Sequence, residues 1–464
     1  MNNYLEIDTL KKLYENNHSK GKVTDVLPFI SSKTPKYNHL QWMNMIGELV
    51  KLITKVEVNY KNLPEDEYET NYNSLSLYVA ESIECDDSDT REDLNKFIDE
   101  YLFNNTKINI VHPFLFNFIS SEKTTNEENK YANFAYDVLL NETEVFSSFF
   151  NTKVTTDILN ETIVNTLSEQ ITEKQKPRKP DFLGLIEDLS KLFTDDLKYL
   201  MKNTQYFNDS LPLLTNYYVF NYCCQLIYNF GDHRKDSYDN TKAFYYSLEW
   251  ESLKTVRKAA SGEFSYRNIK ERAKLLFPQL HAQFQLSHSI FNLPDESDVR
   301  PFLTFSALRN KLELNDISED DFMLNLHDWI KVYCEIQGVD QPDLPSTLNE
   351  SLRTLTLSIN KGMSQSTVKR YSSNIENIGK GVFLKSRGSL GFVFNLSHDL
   401  LMLLITVCVR DQRIPLKNLY IELEKRGISL DFSSKRELVK MLETHNLLDK
   451  KSDSGDAQYV KPIQ

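Results

Sequence analysis

Apolar residues recur at helical spacing over most of the chain. Residues 38–56 and 94–103 carry them at i, i+3 and i+4, one face of a helix in each case. The same reading predicts helices over 182–193, 197–201, 211–230, 243–259, 269–291 and 302–337, with Pro278 breaking or kinking the fifth of these. Pro294, Pro301, Pro342 and Pro345 punctuate the later boundaries, and the charged, Pro-interrupted stretch 173–180 reads as a linker. No fixed-period repeat is present. The expected divisions are a helical domain over 1–172, a second helical domain over 181–345, a basic glycine-containing segment over 346–395 and a final domain over 396–464.

The last 70 residues have the most legible pattern. Ser397 caps an apolar helix that runs through Val409. Pro415 opens a second helix whose Leu416, Leu419, Tyr420 and Leu423 share a face, and Gly427 ends it. Ile428, Leu430 and Phe432 alternate as a short strand, and Ser434 with Glu437 forms a capping box for a third helix. That helix buries Leu438, Met441, Leu442 and His445, and Asn446 ends it. Arg436, Lys440 and Thr444 line its other side. Residues 447–448 and 457–460 pair across a polar wing that contains Lys450 and Lys451. Helix, helix, strand, helix and wing make a winged helix-turn-helix, so the expected fold class is mainly α: a multidomain helical body with a C-terminal β-hairpin and this module. The hairpin is expected from 382–384 and 390–394, which flank Lys385-Ser386-Arg387-Gly388.

Charge sharpens the picture. The 464 residues have a net charge of −12, but residues 1–350 carry 36 Lys/Arg against 55 Asp/Glu, whereas residues 351–464 carry 18 against 11. An acidic body with a basic end places any polyanion contact at the C-terminus. The candidate contact residues are Lys380, Lys385 and Arg387 in the hairpin, Lys435, Arg436, Lys440 and Thr444 on the third helix, and Lys450 and Lys451 in the wing. Two readings of the hairpin stand open: cations and backbone amides on phosphates, or a basic loop docked on acidic groups of the same chain or a partner. Over residues 415–464 nine Lys/Arg meet eight Asp/Glu, which makes the electrostatic term of the third helix and wing weak.

Catalytic chemistry is not legible. No phosphate-binding loop, no His-Glu-x-x-His, no Gly-x-Ser-x-Gly and no metal-spaced Cys/His cluster occurs, so neither cofactor nor metal is expected. Asp181, Asp196 and Lys198 mimic a Pro-Asp…Asp-x-Lys nuclease spacing, but the residues around them follow a helical period where that chemistry needs strands. Five cysteines without a C-x-x-C read as thiols in a reducing cytoplasm. The uncharged stretch 211–230 contains Asn216, Asn221, Gln225 and Asn229, and 396–409 contains His398 and Asp399. Both read as buried helices, not membrane spans.

The stretches 391–400 (GFVFNLSHDL) and especially 447–460 (LLDKKSDSGDAQYV) resemble the C-terminal end of the G component (DptG-type) of DNA phosphorothioation-dependent restriction systems. The resemblance covers about 75 residues, and the chain length and helical body also fit. It implies a non-catalytic antiviral-defence subunit that acts with an F-type ATPase-like partner and an H-type ATPase/helicase-like partner, and that contacts those subunits or double-stranded DNA. It carries over no catalytic residue. A stand-alone winged-helix transcriptional regulator is the rival expectation. Such a regulator needs a dimer and a strongly basic reading helix, and the sequence offers no sustained heptad.

Overall fold

The computed structural model describes residues 3–31, 42–60, 63–64, 72–104, 107–119, 126–174, 178–231, 238, 240–296, 298–450 and 458–463. The chain is mainly helical, with a few small sheets. It divides into two compact units, one of residues 1–39, 181–189 and 217–464, the other of residues 40–180 and 190–216. The expected 1–172 domain is thus divided after residue 39, and the three segments expected beyond 181 share one unit apart from 190–216.

In the smaller unit the helix Trp42–Thr54 packs on Asn126–Leu139. A second apolar cluster is built by Leu75, Val79, Ile98, Leu102, Phe114 and Leu167. Its helices start where side chains accept from orphan amides: Asn73 from Leu75, Asp87 from Thr90, and Asp157 from Asn160. Asp86 and Asp87 thus lead directly into the helix Ser88–Leu102. The stretch 173–180 is less free than a linker. Glu173 belongs to a strand paired with Val56–Val58, and Arg178 is held by both carboxylate oxygens of the buried Asp137. Residues 175–177 lie outside the described residues.

The larger unit joins a helical layer to a four-stranded sheet. Leu276–Ser287, Phe305–Leu314, Glu319–Gln337 and Leu348–Gly362 enclose a core centred on Trp329, Tyr333, Leu352 and Leu355, against which Ile7–Tyr14 is packed. Two helices replace the one expected over 269–291. The break falls at 274–275, and Pro278 sits in the first turn of Leu276–Ser287, where its missing N–H is not needed. The helix expected over 302–337 is likewise two, separated near Asp316, whose φ is 53°.

The largest correction is at 243–259. Phe244–Leu248 is a strand, not a helix, and it lies inside the sheet: Leu384–Ser386, Phe392–Leu396, Phe244–Leu248, Ile428–Leu430. It pairs parallel on both sides, Leu248 opposite Leu396 and Tyr246 opposite Leu430. A five-residue aromatic run shielded on both faces shows no alternation, so its pattern cannot be told from a buried helix turn. A hairpin forms where one is expected, but its strands Leu384–Ser386 and Phe392–Leu396 lie two residues beyond 382–384 and 390–394. Lys385 and Ser386 therefore belong to a strand and not to the tip, with Lys385 opposite Val393. The rest of the 346–395 segment is two helices, Leu348–Gly362 and Gln365–Gly379.

The C-terminal order is helix His398–Val409, helix Leu416–Lys425, strand Ile428–Leu430, helix Phe432–Thr444, then strands Leu448–Lys450 and Gln458–Val460. Those last two pair antiparallel, and Gln458–Val460 also pairs with Ile414–Pro415. Ile428–Leu430 does not join that small sheet. All three of its residues are buried beside Phe244–Leu248, so residues 351–464 are not a self-contained block.

Candidate functional site

The expected contact residues are placed very differently from one another. In the hairpin, Lys385 Nζ lies 3.6 Å from a Glu249 carboxylate oxygen and donates to the Glu249 carbonyl at 3.1 Å. Arg387 donates to the carbonyls of Leu248 and Glu249 at 3.0 and 3.2 Å. Both cations therefore close over the end of Phe244–Leu248, where the Leu248 carbonyl also accepts the Glu251 amide at 3.2 Å. Lys380 Nζ rests 6.0 Å from the centre of the Phe392 ring. In this hairpin both Lys385 and Arg387 contact groups of the same chain, while Lys385 stays 39% exposed.

The third helix is different. Its start lies three residues earlier than the expected Ser434 cap. Phe432 is its first residue, and the cap is Asp431, whose carboxylate accepts from the Ser434 amide at 3.1 Å. The expected Ser434–Glu437 capping box does not form. Ser434 is buried and donates to Glu251 at 2.6 Å, while Glu437 pairs with Lys440 at 2.8 Å. Leu438, Met441 and Leu442 face inward as expected. His445 is exposed instead, its ring 5.3 Å from that of His398. Along the outer face, Phe432, Arg436, Lys440 and Thr444 follow at four-residue steps, all exposed, with Phe432 82% exposed. Lys435 lies over the Tyr420 ring at 4.5 Å. Lys450 is the last residue of its strand, with its side chain outside the described set, and Lys451 lies outside the described residues altogether.

What holds this helix is a cluster that the sequence does not show. Arg257 donates to both oxygens of Asp431 (2.9 and 2.6 Å), to both oxygens of Glu251 (3.0 and 3.2 Å) and to Ser434 Oγ (2.7 Å). Glu251 in turn accepts from the Leu248 amide at 2.8 Å. Burial disfavours the Arg257 charge, but the bonds to Asp431 and Glu251 more than offset it, so its proton is held more firmly than usual. Burial likewise works against the Asp431 carboxylate, and Arg257 with the helix amides outweighs it, leaving its pKa below the ordinary value. Two carboxylates are thus silenced at the start of the outward-facing helix.

The preceding turn is gripped from the other side. Tyr217 Oη and the Asn221 amide both donate to the Arg426 carbonyl, at 2.6 and 3.0 Å. Gly427 follows with φ 84°, and a Cβ there would lie 2.6 Å from the Asn221 side chain. The Arg426 side chain, buried, bonds Glu422 at 3.1 Å.

Asp196 and Lys198 lie on the helix Glu187–Leu200, Asp196 buried and Lys198 paired with Glu142 at 2.6 Å. They lack the strand setting that a metal-dependent nuclease requires. Among the described residues no group of three His, Cys, Asp or Glu is placed to hold a metal ion, and no helix is long and apolar enough to cross a membrane. Cys223, Cys224, Cys334 and Cys408 are buried free thiols, and burial pushes Cys223 and Cys224 well above the usual thiol range.

Sequence reasoning missed Arg257, Glu251 and their loop because the stretch read as the end of a helix. The alternation of Lys254, Arg257 and Lys258 with apolar residues was the available signal. No family model matches this chain, and no curated protein matches it.

Proposed function

We propose that this protein is a non-catalytic subunit of a phosphorothioation-dependent DNA restriction complex, and that it meets DNA or its ATPase-like and helicase-like partners through its C-terminal module. The module reads as a winged helix-turn-helix whose two C-terminal strands form the wing, and the protein acts in the cytoplasm. The observation that carries the reading is the outer face of Phe432–Thr444, where an aromatic residue, two cations and a hydroxyl stand exposed on a helix fixed at its start by Arg257. Such a helix is held rigidly and left uncovered, as a contact element requires. The hairpin cations Lys385 and Arg387 contribute to the fold and not to this surface.

Two measurements test the reading. Co-expression of the full chain with candidate F-type and H-type subunits should yield a complex that survives size exclusion, weakened when Phe432 and Arg436 are replaced together with Asp. The purified chain alone should neither hydrolyse ATP nor cut plasmid DNA with Mg²⁺ or Mn²⁺. Failure to assemble with either partner, or cleavage abolished by Asp196→Ala, would overturn the assignment.

A further inference from the structure

The Arg257 cluster does more than anchor a helix start. By bonding Asp431 and Ser434 it brings the loop of residues 250–258 beside the first turns of Phe432–Thr444. The chain neighbours of the two bonded residues are exposed: Val256 is 90% exposed next to Arg257, and Phe432 is 82% exposed next to Asp431. Trp250, 44% exposed, precedes Glu251, and its ring lies 6.3 Å from that of His398.

The charges of these two stretches are lopsided in a chain of net charge −12. Residues 250–258 and 431–440 hold six cations, Lys254, Arg257, Lys258, Lys435, Arg436 and Lys440, against three acids. All three acids are engaged: Glu251 and Asp431 by Arg257, and Glu437 by Lys440. Lys254, Lys258, Arg436 and Lys440 stand exposed, and Lys258 and Lys435 each lie over a tyrosine ring, Tyr245 and Tyr420, at 5.1 and 4.5 Å. Exposed aromatic and apolar groups that cations flank along the two stretches, with the acids of those stretches engaged, suit a phosphate backbone with base faces at hand.

We propose that the 250–258 loop and the first two turns of the Phe432–Thr444 helix form a single nucleic-acid-contacting surface. Lys254, Lys258 and Arg436 meet phosphates, and Phe432 meets the bases. The inference deepens the DNA contact proposed above and rests on it, while extending the contact to Lys254 and Lys258, outside the basic C-terminal end.

The test uses the full chain and fluorescence anisotropy with a 20-bp duplex and a 20-nucleotide single strand at several salt concentrations. Lys254→Ala with Lys258→Ala should weaken binding and flatten the salt dependence by about two units of slope. Phe432→Ala should weaken binding about tenfold with the slope unchanged, because an apolar contact releases no counterions. All three side chains are exposed, so folding is not at stake, and unchanged circular dichroism checks it. Duplex and single strand separate groove contact from base stacking. No binding of either probe at low salt, or binding indifferent to these substitutions, overturns the proposal. Partner-subunit assembly that is lost in Phe432→Asp while DNA binding is unchanged assigns the surface to protein docking and also overturns it. The restriction-complex reading fails separately, through failure of the wild-type chain to assemble.

Discussion

Arg257→Ala isolates the cluster that fixes the third helix. The guanidinium makes five side-chain bonds and stands between two carboxylates that are 3% and 10% exposed, Glu251 and Asp431. Removing it leaves two buried negative charges facing a cavity, and breaking a buried pair from one side costs about 3–5 kcal/mol. The lower end applies here, because Asp431 keeps the Ser434 amide and Glu251 keeps the Leu248 amide and the Ser434 hydroxyl. A loss of about 3 kcal/mol lowers hydrogen-exchange protection by roughly a hundredfold where local opening governs exchange. Peptides covering 428–444 should therefore lose about that factor, while peptides of the 348–362 helix stay close to wild type. The pH dependence has a definite sign. Asp431 is depressed below its ordinary value, so its contribution is present above about pH 4 and is lost as pH falls through the folded value. The deficit of the variant should shrink from pH 7 to pH 3. Combining Arg257→Met with Glu251→Gln and Asp431→Asn should restore most of the protection, since no charge is then stranded. A deficit below about 1 kcal/mol, or one equally large at pH 3 and pH 7, would refute the reasoning.

Three further outcomes follow from the same geometry. His281 is buried against Tyr14 and His18, and burial lowers its pKa to about 3; folding then favours the neutral ring, so stability from this site is complete above about pH 7 and falls by roughly 2–3 kcal/mol by pH 4.5, a slope that His281→Gln should remove in urea titrations. Gly427→Ala should cost more than the ~1–3 kcal/mol of a strained left-handed residue, because its Cβ meets Asn221, whereas Gly388→Ala, at φ 59° with open space around it, should cost only that conformational part; thermal unfolding of the pair separates the two. Lys385→Ala with Arg387→Ala should leave DNA affinity within about twofold at fixed salt and lower stability by ~1–2 kcal/mol, since these cations satisfy the Leu248 and Glu249 carbonyls; a large drop in affinity would return the hairpin to the contact surface.

Local signals were enough to read most of the boundaries of the C-terminal helices. Apolar spacing, the Ser397 cap, the Gly427 stop and the Asn446 end at φ 55° all stand where the sequence places them, because each depends on contacts within a few residues. The hairpin was legible for the same reason: turn residues and flanking apolar strands lie next to each other in the chain. The third helix's inward residues Leu438, Met441 and Leu442 followed from period alone. What the sequence could not determine was which distant segments meet. Phe244–Leu248 took the sheet interior because residues 392–396 and 428–430 offer strand edges on both sides, and short apolar runs have no preference strong enough to announce this. The same pairing brings Arg257 to Asp431, 174 residues away, so the cap that the sequence assigns to Ser434 passes to Asp431 and Ser434 turns inward to Glu251. The fate of each cation was also a tertiary matter. Lys385 and Arg387 are as basic in sequence as Lys254 and Arg436, but the Glu249 carbonyl at the end of a parallel strand accepts from both, and only folding decides which side chains are near enough to reach it.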